Sequence, residues 1–183
     1  VDEQFPHILK EAGFLIDSSV ASQRMDMFFS FGALKKLHWI TAPRHAYFVQ
    51  EDNIFKRGTS DIFEIPISAL IFPYIGTFMR IAPGLNRMTR RLLYCETCCN
   101  GRQFVFLTHP NEFIDEELEV DHIQRRAKNY FAYLMGDVFR HKLKVKNLGA
   151  DALPIFEREL QFFQQNDFKF LTCKQLYNIQ YAR

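Results

Sequence analysis

The stretch "FVFLTHPNEF", residues 104–113, decides the fold. Its first half is apolar and β-branched and predicts a buried strand over "QFVFLTH". Pro110 cannot extend that strand, because it has no N–H to offer a central ladder. Thr108 and His109 then fall at the strand's C-terminal end, with Glu112 three residues beyond the histidine. In open α/β sheets and α/β barrels that end is where ligands bind. A histidine satisfied at a strand end is the plainer alternative.

The chain has 183 residues, 48% hydrophobic and 24% charged, enough for one core and a single globular domain over residues 1–183. Twenty Phe predict a thick core or an aromatic-lined cleft. A net charge of +2 is too balanced to argue for nucleic acid or an anionic membrane. No run reaches the ~20 apolar residues of a membrane span; "IFEIPISALIFPYIGTFM" is broken by Pro66, Pro73 and Gly76 and carries Glu64. The opening "VDEQFPHILKEAGF" is acidic and helical, unlike a signal peptide, so a cytoplasmic setting is expected. The lack of an initiator Met predicts a longer parent protein. Cys95, Cys98, Cys99 and Cys173 include one C-x-x-C spacing, short of the about four ligands of a structural zinc site. Reduced thiols on a helix end are the simpler reading.

Along the chain, "DEQFPHILKEAGF" predicts a helix closed by Gly13, "FLIDSSV" a short strand, and "ALKKLHWI" a partly helical stretch. "HAYFVQ" reads as a strand, "DNIFKRGTS" as a loop, and "IFEIPIS" as an edge or rim strand. The Pro and Gly of "IFPYIGTFMRIAPGLN" suggest an irregular wall. "NRMTRRLLYCETCC" is helical, as are stretches of "IQRRAKNYFAYLMGDVFRHKL" and "ALPIFERELQFFQQNDF". "KFLTCKQLYNI" predicts a last strand and a terminal helical turn. Strands alternating with helices argue for βαβ units and a largely parallel sheet. The count is short of a closed (β/α) barrel of ~250 residues, so the expected fold class is α/β, half of such a barrel.

Several of these segments together resemble the polysaccharide deacetylases, the NodB-like group of carbohydrate esterase family 4. "ILKEAGFLIDSSV" is similar to the segment after that family's Arg-Ala-Pro motif, and "DIFEIPIS" to the strand that follows. "IGTFMRIAPG" resembles a Gly-x-Phe-x-Arg-x-x-Pro segment of export-associated deacetylases. "FVFLTHPNEF" resembles the late strand ending Leu-His-Pro-x-Glu-Phe, and "ALPIFERELQFFQQNDFKFLTCKQL" the closing helix and strand. Nearly the whole chain is covered in order, which implies an incomplete (β/α) barrel of the NodB type. The family's Thr-Phe-Asp-Asp and His-x-x-x-His motifs, which bind its divalent metal, have no counterpart here. The resemblance therefore implies the C-terminal half of such an enzyme, with no cofactor in this chain and a divalent metal, zinc foremost, for the complete one.

The resemblance also implies roles. His109 would be the general acid that protonates the leaving amine, a task suited to an ordinary pKa of ~6.5. Asp17 and Glu112 are candidates for orienting or charging it. Asp17 could equally cap a turn with Ser18 and Ser19, and Glu112 could cap the loop after it. Phe78 and Arg80 would face a sugar ring and its hydroxyls, against the plainer readings of core packing and a solvated charge. Trp39, the only tryptophan, is a sugar platform in principle and a core residue by default. The arginine pairs at 90–91 and 125–126 read as solvated helix faces. The expected function is part of a metal-dependent N-deacetylase acting on an N-acetylated exopolysaccharide or cell-surface glycan, this chain alone being inactive. The alternative is a non-catalytic glycan-binding or partner protein on a degenerate deacetylase scaffold. A half barrel would expose a strand edge, which predicts a homodimer or a preceding segment that covers it.

Overall fold

The computed structural model describes residues 5–23, 38–115, 143 and 146–181. They fall in two compact units, one made of residues 1–74, 87–107 and 169–183, the other of residues 75–86 and 108–168. The helical stretches expected in residues 123–143 lie outside the described residues, apart from Leu143, and so does the arginine pair at 125–126.

In the first unit, α1 (Phe5–Glu11) ends as its sequence predicts. Gly13 adopts φ +79, and the N–H groups of Gly13 and Phe14 donate to the carbonyls of Lys10 and Leu9 at 3.0 and 2.9 Å. This is the left-handed closure that glycine makes without a Cβ penalty. There follow β1 (Ile16–Asp17), a short helix α2 (His38–Thr41), β2 (Tyr47–Gln50), β3 (Asn53–Arg57) and β4 (Phe63–Glu64). The four strands form one sheet in the order β1-β4-β2-β3. Only β1 and β4 run parallel; β2 is antiparallel to both β3 and β4. The described residues are thus mixed α/β, with one parallel strand pair among them where a largely parallel sheet was expected.

Three segments depart from their sequence reading. Most of "DNIFKRGTS" is β3: a turn at Glu51–Asp52 folds residues 53–57 back onto β2 and buries Ile54 and Phe55. "IFEIPIS" supplies β4, an interior strand, and residues 62–69 are buried throughout. "QFVFLTH" has an isolated bridge at Leu107 but forms no ladder among the described residues. The Ser68 N–H donates to the Val105 carbonyl at 3.1 Å, but the Val105 N–H goes to the Ser68 hydroxyl at 2.9 Å. A side chain thus takes a donor that a strand neighbour would need. Phe104 and Phe106 pack instead on Tyr74, with ring centroids 5.2 and 4.7 Å apart.

The core of this unit is built from Val20, Ala42, Tyr47, Val49, Ile54, Phe55 and Ile62, with Phe5, Leu9 and Trp39 packed against it. A second anchor is ionic. Arg44 clasps Glu96 through both guanidinium ends, and Arg102 Nη1 donates to the same carboxylate at 3.0 Å. Arg102, 2% exposed, also donates through Nε to the Arg44 carbonyl at 2.8 Å. Burial and the Arg44 charge lower its pKa to about 10, so it stays charged at neutral pH.

The expected irregular wall contains two helices, α3 (Gly76–Ile81) and α4 (Pro83–Asn100). Pro83 starts α4 rather than breaking one, since the first helical position has no N–H to lose. Cys95, Cys98 and Cys99 on α4, and Cys173, are free and exposed. In the second unit, α5 (Ala152–Gln165) confirms the expected helix. Back in the first unit, "KFLTCKQLYNI" gives α6 (Cys173–Tyr181) and no strand. Thr172 and Gln175 explain this. The Gln175 N–H donates to Thr172 Oγ1 at 3.2 Å and the Thr172 N–H to Gln175 Oε1 at 2.8 Å, the reciprocal pair of a capping box. Among the described residues no helix is long and apolar enough to cross a membrane.

Candidate functional site

His109 lies in the second unit. It precedes a 3-10 turn, Pro110–Phe113, whose first residue is the proline that cannot continue an extended segment. The Glu112 N–H donates to the His109 carbonyl at 3.0 Å, which fixes the backbone. The imidazole is exposed and makes no hydrogen bond with a described residue.

Glu112 does not orient that ring. It is 3% exposed, and its oxygens are occupied elsewhere. Thr77 Oγ1 donates to Oε1 at 2.6 Å and Thr108 Oγ1 to Oε2 at 2.8 Å. Arg80 Nη2 lies 3.9 Å from Oε1. Both charges are buried, and their attraction offsets part of the hydration that each has lost. Arg80 Nη1 also donates to the Lys146 carbonyl at 2.8 Å, and Asn147 donates back to the Arg80 carbonyl at 2.8 Å. The arginine read as a sugar contact or a solvated charge is therefore a buried tie. Gly76 makes room for this cluster: a Cβ there would lie 1.7 Å from Glu112 Oε2. Phe78, on α3, is half-buried.

The remaining candidates belong to the first unit. Trp39 packs against the core, its ring centroid 6.3 Å from that of Phe55, the default reading of a lone tryptophan. Asp17 makes the turn that the sequence allowed, since Ser19 Oγ donates to Oδ1 at 2.8 Å, while Ser18 Oγ donates to the Ile65 carbonyl at 2.7 Å. Sequence reasoning missed its neighbour. Asp17 and Glu64 are register partners on the parallel strands β1 and β4, which sets the two carboxyls next to each other. Burial, then the Asp17 charge, push the Glu64 carboxyl well above its ordinary range. The Tyr47 hydroxyl, which donates to the Ile54 carbonyl at 2.6 Å, is pushed up by burial and by the same two acids.

A separate cavity in the first unit, about 430 Å³, is lined by Phe48 and Tyr177 with Thr59, Ser60 and Asp61. Among the described residues no three His, Cys, Asp or Glu side chains converge as metal ligands. The described residues thus do not form the ligand set of the divalent metal that the resemblance implies. No family model, curated protein or solved structure matches the chain.

Proposed function

We propose that the chain is the C-terminal part of a carbohydrate N-deacetylase on an incomplete (β/α) barrel of the NodB type, with His109 as the general acid. Its partner is an N-acetylated glycan. The observation that supports this reading most is the exposed imidazole on a backbone held by Pro110 and the buried Glu112. Hydrolysis of the acetamide adds water to the carbonyl carbon and breaks the C–N bond, and the departing amine must gain a proton. A positioned acid contributes ~10²–10⁴-fold to such a step. In this reading the metal-binding residues belong to a preceding part of the protein, and the 183 residues alone release no acetate.

The test is acetate release from an N-acetylglucosamine oligomer by the full gene product. His109→Asn is expected to lower kcat by about 10²-fold with oligomer binding unchanged, and an undiminished rate would overturn the assignment. Turnover by the isolated 183 residues would overturn the division of labour. The cavity beside Phe48 and Tyr177 favours a second reading, a glycan-binding protein without catalysis, because aromatic faces beside hydroxyls and a carboxylate suit a sugar ring. Saturable oligomer binding that Tyr177→Ala abolishes, with no acetate released by the full product, would select it.

A further inference from the structure

We propose that Glu64 is protonated at neutral pH and donates to Asp17, and that this bond fastens β1 to β4 in a pH-dependent way. The inference does not rest on the deacetylase reading. Its basis is a mismatch in the hydrogen bonding of two adjacent carboxyls. Asp17 Oδ1 accepts from Ser19, and Glu64 Oε1 accepts the Val20 N–H at 2.9 Å. The other oxygen of each, Asp17 Oδ2 and Glu64 Oε2, is buried and finds no donor. Two acceptors without a donor are costly in a buried place. Yet the two carboxyls lie side by side, as register partners on parallel strands. One proton between them turns one carboxyl into a donor and satisfies both orphaned oxygens.

Among the described residues no side chain donates to either orphaned oxygen. Glu64 is fully buried at 0% exposure. Among the described residues neither carboxylate is paired with a cation. β2 contributes the Tyr47 hydroxyl, which is directed to the Ile54 carbonyl. α6, which touches β1, carries Cys173, Lys174 and Tyr177. The first two are exposed, and the Tyr177 ring packs on Phe63 and Phe48. Burial first, and the neighbouring Asp17 charge second, disfavour an ionised Glu64, so this carboxyl keeps its proton above the ordinary carboxylate range.

The sign of the linkage follows. In the unfolded chain Glu64 ionises near ~4.3, so at neutral pH the folded chain binds one proton more. Its stability is then full below that value and declines as pH rises toward the raised ionisation of folded Glu64. This is opposite to ordinary acid denaturation. The Glu64 proton also supplies a bond across strands only two residues long.

The test follows the unfolding equilibrium of the full 183-residue chain by denaturant titration between pH 5 and 9. The wild-type folding constant is expected to fall by up to tenfold per pH unit over part of this window. In Glu64→Gln, whose amide donates permanently, the slope should be shallower by one proton, and Asp17→Asn should act likewise. Slopes identical to wild type in both variants would overturn the proposal. Should either variant fail to fold, the wild-type infrared spectrum decides. A protonated-carboxyl stretch that persists at pH 7 and disappears on unfolding is required, and its absence would equally sink the idea.

Discussion

Glu112 accepts two threonine hydroxyls and faces Arg80 while almost wholly buried. Glu112→Ala would take a counter-charge from the Arg80 guanidinium and the acceptor from two threonine hydroxyls, and the expected loss is about 3 kcal/mol in denaturant unfolding. Gly76→Ala should cost roughly 1–3 kcal/mol, because its methyl would meet Glu112 Oε2 at 1.7 Å. The two changes share a contact, so the double variant should lose less than the sum. At this scale the sequence displayed the chemistry but not the partners. A His with an acid three residues later suggested that the two cooperate, yet Glu112 answers to Thr77, 35 residues away. Asp17 was legible as a turn former beside two serines, whereas its pairing with Glu64 depends on strand register, which no local pattern encodes.

Among the elements, the helices were the most legible. α1 carries its apolar spacing and its glycine stop in one short run, and α5 forms over the stretch whose pattern predicts a helix. α6 has a readable start, the Thr-x-x-Gln of its capping box. Thr172→Ala should therefore cost about 1 kcal/mol and fray the helix, visible as lost far-ultraviolet ellipticity. The strands were harder. β1 and β4 span two residues each, so their existence is a property of pairing rather than propensity. β3 hid between polar flanks and shows itself only once the turn at 51–52 returns it to β2. "QFVFLTH" had every local mark of a strand and lost its ladder to a serine hydroxyl. Its apolar side chains are met by Tyr74 instead.

Over the whole molecule, ionic ties join segments far apart in sequence. Glu96 links Arg44 to Arg102, and burial, which would raise its pKa, is outweighed by the two guanidinium groups. Its folded value lies below the unfolded one, so the stability it provides is present above ~4.3 and is lost as pH falls through the folded value. Glu96→Gln should flatten this acid limb and, at neutral pH, cost about 2 kcal/mol, between an exposed pair and a fully buried one. The fold class was legible as mixed α/β from alternating patterns, but the strand order was not, because it arises from contacts distant in sequence. The chain's single tryptophan has an experimental consequence. Trp39 packs on the core of the first unit, and the second contains no tryptophan at all. Its emission is thus a private reporter of one unit. If its unfolding transition coincides with that of the helical ellipticity, the two units melt as a single cooperative block; separate midpoints would mean that each stands or falls alone.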